Sequence, residues 1–140
     1  MEVLAVKAPR IMQVGESLSA FVLECLRSAE VELESGDVVA VASKLVSYAQ
    51  ERVVRLEDVE PSEEAKELGR KHDMDPRLAE LILREAEQVL GGVKGFLLTL
   101  KFGALVPNAG VDLSNAPEGC AVLPPENPQL EAEKLRRELE

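Results

Sequence analysis

Apolar residues recur with helical spacing in some segments of the chain and form short continuous runs in others. Between Ser17 and Ala29 they fall three and four residues apart, which predicts a helix with one buried face. Val38–Ala42 is an unbroken apolar run, which is typical of a strand buried on both faces. Helices are therefore predicted together with strands, and two later strands are joined directly by a turn at Phe102-Gly103, which predicts an α+β fold class.

Proline, glycine and capping residues mark the remaining elements. Further strands are predicted at Val3–Lys7, Arg52–Leu56, Gly95–Lys101 and Ala104–Val106, and further helices at Pro61–Lys71, Pro76–Val89 and from Asn127-Pro128 onward. Gly91-Gly92 is predicted to end the Pro76 helix, and His72 is predicted to be a solvated or capping residue at the end of the preceding helix. No repeat or linker interrupts the pattern, so we expect one domain over residues 1–140, with a mixed or antiparallel sheet and three to four helices.

Composition and charge narrow the range of possible functions and partners. The 140 residues are 46% hydrophobic, which is enough for a core. The net charge of −10, without a basic stripe, disfavours nucleic acid and anionic membrane surfaces as partners. Every apolar run is far too short to span a bilayer, and the first residues lack the pattern of a secretory signal, so we expect a soluble cytoplasmic protein. A phosphorylated small molecule is still possible as a ligand. A lysine, a divalent cation or a helix amino terminus can make the electrostatic potential positive locally, despite the negative net charge.

A polar loop after the predicted strand Ala104–Val106 is the most informative stretch. It combines Asn, Gly, Asp and Ser between Asn108 and Asn115, where a cation and phosphate groups could approach the backbone. Loops of this composition are also typical of turns that satisfy their own backbone donors, and local evidence leaves both interpretations open. Neither a P-loop nor a G-x-G-x-x-G dinucleotide motif is present in the sequence.

The same stretch, Lys101–Asn115, resembles the NAG-I/V-D-x-SN signature of the coenzyme F420:L-glutamate ligase family. Upstream, Gly36–Ser47 resembles a second family segment. That segment is a strand that begins with Gly-Asp-Val and is followed by Ser-Lys, a hydrophobic residue, Val and Ser. Two further matches keep the family's order, Pro61–Ala65 at a helix start and Leu123–Arg136 near the end of the chain. The four landmarks cover nearly all of this chain and resemble about the first half of the family's domain.

The resemblance implies an acid–amino-acid ligase that uses GTP and a divalent metal, Mg²⁺ or Mn²⁺, to join the amine of L-glutamate to a carboxylate of a deazaflavin precursor. It implies an acyl-phosphate intermediate and no catalytic nucleophile on a side chain. By resemblance, Asp112 is a metal-binding carboxylate. The implied nucleotide-binding positions are Pro9 and Ile11, in a turn similar to the family's LPLI segment, and Ser43, Lys44 and Asn115.

Departures from the family pattern favour a second hypothesis. Tyr48 stands where the family has lysine, and Glu51 stands where its AEG segment has glycine. The family's further metal-binding Asp belongs to the half that this chain does not resemble, so we expect the chain alone to be inactive and to need further residues or a completing second polypeptide. A homo-oligomer is also expected, because half of a fold leaves apolar sheet exposed. The alternative hypothesis is a non-catalytic binding or assembly module derived from the ligase scaffold.

Overall fold

A computed structural model describes residues 2–140, which form five α-helices and five strands. The helices are α1 (Leu18–Ser28), α2 (Ser43–Ala49), α3 (Glu63–His72), α4 (Pro76–Glu85) and α5 (Pro128–Leu139). The strands are β1 (Val53–Arg55), β2 (Gln88–Val93), β3 (Phe96–Lys101), β4 (Ala104–Pro107) and β5 (Cys120–Val122). Both sheets are antiparallel, which confirms the predicted α+β class. No helix in this described part of the chain is both long and apolar enough to cross a membrane.

The chain divides into two compact units, and the first comprises residues up to 51 together with 125–140. Its core is formed by Met12 and the apolar face of α1, with α2 and α5 packed against it. Ser17 ends the preceding loop and caps α1, because its hydroxyl accepts a hydrogen bond from the Ala20 amide at 3.3 Å. The predicted α1 is therefore confirmed, as is the α5 helix that begins after Asn127.

Two predicted strands are absent from the first unit. Residues 3–7 and 38–42 have no strand pairing among the described residues. Val38 is 92% exposed, whereas Val39 and Val41 are half-buried against the first core. The apolar run thus buries one side and not both, and the prediction of a strand buried on two faces was wrong. Helix α2 follows it directly and was missed, because Ala42 at its start supplies no side-chain cap.

The second unit comprises residues 52–124 and contains both sheets. Strands β2, β3 and β4 form one sheet in that order, and β1 pairs with β5 in the other. Helix α4 contributes the centre of the core, because Leu81 and Ile82 are 2% and 0% exposed. The core residues of this unit are Val59, Leu78, Leu81, Ile82, Leu97, Ala109, Val111 and Ala121.

Helix α4 ends earlier than predicted. It stops at Glu85, and Gln88–Val93 forms β2 instead of the last turn of the helix. Gly91-Gly92 lies inside that strand, next to a bulge that follows Val89, so the glycine pair does not end a helix. Pairing with β3 therefore overrides the helical spacing of the apolar residues at this point.

His72 is buried, with 6% of its surface exposed, so the prediction of a solvated residue was wrong. It ends α3, as predicted, and its carbonyl accepts a hydrogen bond from the Gly95 amide at 2.6 Å. A Cβ atom on Gly92 would lie 3.0 Å from His72 Cε1 and 2.5 Å from the Phe96 carbonyl oxygen. The glycine therefore makes room for the imidazole beneath the turn between β2 and β3.

Candidate functional site

Asp112 is held to β5 by its backbone. Its amide donates to the Val122 carbonyl at 2.9 Å, and the Val122 amide donates back to the Asp112 carbonyl at 2.8 Å. Val122 also pairs with Val53 of β1, so the Asp112 backbone extends the two-stranded sheet. The position of this carboxylate is therefore fixed by sheet pairing and not by the loop alone.

The Asp112 carboxylate is oriented by Ser114. The Ser114 amide donates to Oδ1 at 2.7 Å, and the Ser114 hydroxyl donates to Oδ2 at 2.8 Å. This geometry is an Asx turn, so the interpretation of the loop as a self-satisfying turn is confirmed. The carboxylate is half-buried and Ser114 is exposed. Each of the two carboxylate oxygens therefore accepts one hydrogen bond from Ser114.

The residues before Asp112 anchor this loop to β3. Asn108 accepts a hydrogen bond from the Leu97 amide at 2.8 Å through its side-chain oxygen. The Thr99 hydroxyl accepts from the Ala109 amide at 2.9 Å and donates to the Val106 carbonyl at 2.5 Å. Asn108 and Ala109 both have φ of 51°, in the left-handed region. The NAG part of the motif is therefore structural and sets the start of the Asp112 loop.

Asn115, the nucleotide-binding candidate of this loop, is exposed and has φ of 55°. Asparagine tolerates the left-handed region better than most residues. The structure thus brings Asp112 and Asn115 together in one short segment of the second unit. The other four candidates, Pro9, Ile11, Ser43 and Lys44, belong to the first unit.

Ser43 begins α2, where it is exposed, and Lys44 beside it is half-buried. The Ser43 carbonyl accepts a hydrogen bond from the Ser47 hydroxyl at 3.2 Å. Ser43 also lines a groove of about 970 Å³ within the first unit, between the segment 33–46 and α5. Its apolar walls include Leu18, Leu33, Val39, Val46, Leu135 and Leu139.

Pro9 and Ile11 lie on an exposed turn, and Ile11 is 80% exposed. Arg10 between them is held by two carboxylates. Its Nε and Nη2 donate to Glu24 at 3.0 and 2.8 Å, and its Nη1 donates to Glu16 at 2.9 Å. The hydrogen bond to Glu16, followed by that to Glu24, raises the pKa of Arg10, and Arg10 in turn lowers the pKa of Glu16. The turn is therefore fixed to α1 by an arginine that departs from the LPLI pattern.

The sequence did not predict the roles of two residues that shape the site. Ser114 orients Asp112, and the signal for it was present, because Asp followed two residues later by Ser is typical of an Asx turn. Arg10 fixes the amino-terminal turn through acidic residues up to fourteen positions away. No local sequence pattern indicates that pairing.

Comparison with known proteins identifies the family. The sequence profile described as F420-0:Gamma-glutamyl ligase matches residues 5–140. A coenzyme F420:L-glutamate ligase from Methanopyrus kandleri is 40% identical over 131 residues, which cover 93% of this chain and 50% of the relative. The enzymes of that name from Archaeoglobus fulgidus and Methanocaldococcus jannaschii are 37% and 36% identical, over 99% and 100% of this chain and 54% of each relative. The chain spans about half the length of these curated relatives, and it belongs to the F420-0:gamma-glutamyl ligase family.

Proposed function

We propose that this chain supplies the nucleotide- and metal-binding part of a ligase that joins L-glutamate to the coenzyme F420 precursor in the cytoplasm, with GTP as co-substrate. The observation that carries the proposal is the oriented Asp112 carboxylate, in a chain whose family match covers residues 5–140. The relatives bear the name coenzyme F420:L-glutamate ligase, which supports glutamate and the F420 precursor as substrates.

The donor set at Asp112 fits a hard divalent cation. Mg²⁺ and Mn²⁺ prefer oxygen ligands, and Mg²⁺ is usually held by one or two carboxylates together with water and substrate phosphates. Ser114 donates to both carboxylate oxygens and so fixes their direction, as the partners of metal-binding carboxylates usually do. In the proposed site Asp112 is the metal ligand from this chain, and Asn115, three residues further on, contacts the nucleotide.

The start of α2 is suited to phosphate groups by its charge. Between Val38 and Gln50 the sequence contains no Asp or Glu, and Lys44 is its only charged residue. An anion that approaches Ser43 and Lys44 therefore meets no carboxylate from this segment, although the whole chain carries a net charge of −10. Pro9 and Ile11, fixed to α1 through Arg10, complete the proposed nucleotide-binding positions of the first unit.

In the proposed reaction the γ-phosphoryl group of GTP is transferred to a carboxylate oxygen of the precursor, which gives GDP and an acyl phosphate. The amine of glutamate then attacks the acyl carbon, the new C–N bond forms, the C–O bond to phosphate breaks, and the amine loses a proton to solvent. A bound divalent cation would neutralise charge on the transferred group. The residues of this chain bind and orient, and none is required as a nucleophile.

Complete ligation would need the residues that correspond to the unmatched half of the relatives, on the same or on another polypeptide. Titration calorimetry tests the part assigned to this chain. We expect GTP to bind in the presence of Mg²⁺ or Mn²⁺ and to bind at least about 10-fold more weakly without the metal, which is within the usual range of coupling between two ligands. Asp112→Asn should abolish most of this metal dependence, because asparagine can keep the hydrogen bond from the Ser114 amide but loses the charge.

Asp58→Asn is the matched control, because Asp58 is an exposed carboxylate of the same unit outside the Asp112 loop. It should leave GTP binding unchanged. Equal GTP affinity with and without metal, or an Asp112→Asn variant that binds like the parent, would contradict the proposal. The non-catalytic alternative predicts no glutamate ligation after the chain is mixed with the unmatched part of the Archaeoglobus fulgidus relative. Ligation in that mixture that is abolished by Asp112→Asn would contradict the alternative.

A further inference from the structure

Residues 38–42, which we call the open segment, have the form of a strand that lacks strand partners. The open segment runs from a turn at residues 35–36 to the start of α2, with no helix or turn in between. Its side chains alternate: Val39 and Val41 are half-buried against the first core, and the other three are exposed. Alternation with a period of two is the pattern of a β-strand. The open segment therefore presents one face to the core of the first unit and leaves the other face uncovered.

The backbone of the open segment is unpaired but held at both ends. Among residues 2–140, none forms a hydrogen bond with the amide or carbonyl groups of residues 38–41. Before it, the Asp37 amide donates to the Glu34 carbonyl at 3.1 Å, and the Glu34 amide donates to the Asp37 carboxylate at 2.9 Å. After it, α2 begins. Open amides and carbonyls on an extended segment are a template for the addition of a strand, and a segment already fixed loses less entropy when it pairs.

The open segment also forms part of the wall of the groove of about 970 Å³ in the first unit, whose lining is apolar with an acidic rim. The charged residues of this lining are Glu34, Asp37, Glu131, Glu140 and Arg136. Arg136 is already paired with Glu140 at 3.2 Å, so the remaining charge of the rim is negative. A negative rim around an apolar groove is complementary to a segment that carries apolar side chains and at least one Lys or Arg.

We propose that the open segment pairs with a β-strand from the polypeptide that supplies the unmatched half of the family's domain, and that this strand lays apolar and basic side chains into the groove. The relatives contain enough further sequence for it, because the matched part is only 50% or 54% of their length. A second copy of this chain fits the acidic rim poorly, because each copy carries a net charge of −10. The pairing does not depend on the proposed GTP binding, although it would fix the residues that lead into Ser43 and Lys44.

Hydrogen–deuterium exchange followed by NMR tests the pairing at single amides. The full chain, carrying an affinity tag, is co-expressed with the segment of the Archaeoglobus fulgidus relative that it does not match, and the purified complex is compared with the chain alone. We expect alternate amides of residues 38–41 to exchange at least about 100-fold more slowly in the complex, because every second amide of a strand faces the same edge. The amides of β1, which is paired with β5 in the chain itself, are the internal control.

Proline variants test the two edges of the open segment separately. Val39→Pro removes an amide from one edge and Ala40→Pro removes an amide from the other. The variant on the protected edge should lower the amount of copurified complex at least about 10-fold, because it leaves a carbonyl of the added strand without a donor. Val39→Ala and Ala40→Ser keep the amides and are the matched controls. Glu34→Lys should also weaken the complex, whereas Glu32→Lys, at an exposed position outside the groove lining, should not.

Three results would overturn the proposal. The first is a failure of the two polypeptides to copurify, or a complex in which residues 38–41 exchange as fast as in the chain alone. The second is a complex that tolerates both proline variants, with circular dichroism verifying that each variant chain is folded. The third is protection that appears in the chain alone and increases with its concentration, because the occupant would then be a second copy. None of these measurements contains GTP, so they stand or fall separately from the proposed nucleotide binding.

Discussion

Glu85→Gln should lower the free energy of unfolding of the second unit more than a substitution in any exposed ion pair of this chain. Glu85 accepts a hydrogen bond from Arg52 Nη2 at 2.6 Å and one from Lys101 Nζ at 2.8 Å. The side chains of Arg52, Glu85 and Lys101 are only 14%, 14% and 10% exposed. The Glu85 carboxylate therefore bonds to two poorly solvated cations, and it joins α4 to β3 and to Arg52, the residue that precedes β1.

The expected size of the effect follows from this burial. Removal of one partner from a buried ion pair typically costs about 3–5 kcal/mol, because the remaining charge is left uncompensated. Partial exposure and the polar amide of glutamine reduce this cost, so we expect about 2–3 kcal/mol. For a unit of this size the corresponding fall in melting temperature is on the order of 10 °C.

Urea unfolding followed by circular dichroism measures the loss, with Glu63→Gln as the matched control. Glu63 also pairs with a lysine, Lys66 at 2.6 Å, but its side chain is 87% exposed, so its replacement should leave the unfolding midpoint almost unchanged. High salt should shrink the small effect at Glu63 and leave the large effect at Glu85 nearly unchanged. Equal losses for the two variants would refute the assignment of the Glu85 cluster as a structural centre.

Two further predictions concern the second unit. Gly92→Ala should cost about 2 kcal/mol or more in urea unfolding, because the new Cβ would approach the Phe96 carbonyl oxygen to 2.5 Å; an unchanged midpoint would contradict this packing. Asp75→Ala should cost about 1 kcal/mol at pH 7, because Asp75 caps α4 through the Arg77 amide at 2.8 Å. The Arg77 side chain lowers the pKa of Asp75, so this stabilisation is fully present above the unfolded pKa, near 3.8, and is lost progressively as the pH falls from there through the lower pKa of the folded state. A loss that does not begin to shrink below the unfolded pKa would contradict the assignment.

The sequence predicts elements well where a cap and an apolar face agree. Helix α1 has Ser17 as its cap and four core residues on one face, and α5 has Asn127 followed by proline. Prediction fails where a tertiary partner decides the outcome. The last predicted turn of α4 becomes β2 because β3 is available to pair with it. Val38–Ala42 has the pattern of a two-sided strand, but the described chain offers it only the core of the first unit on one side.

For the candidate site, the sequence identified a polar loop and left open whether it binds a ligand or closes on itself. Local spacing was enough to predict the Asx turn at Asp112, since Ser114 is two residues away. Local spacing was not enough to predict the hydrogen bond from the Leu97 amide to Asn108 or the ion pair between Arg10 and Glu24. Both contacts depend on how elements that are distant in sequence pack together. Such contacts appear only once the chain has folded.

The turn at Asp112 and a metal at Asp112 do not exclude one another. A carboxylate that rotates freely loses conformational entropy when it binds an ion, whereas one already oriented by its neighbours loses less. Ser114 supplies that orientation with two donors, and the backbone bridge to Val122 removes the freedom of the residue itself. Ser114→Ala should therefore weaken metal-dependent GTP binding several-fold while the charge of Asp112 is retained. If Ser114 served only the stability of the loop, the same variant would lower the unfolding midpoint and leave metal-dependent binding unchanged.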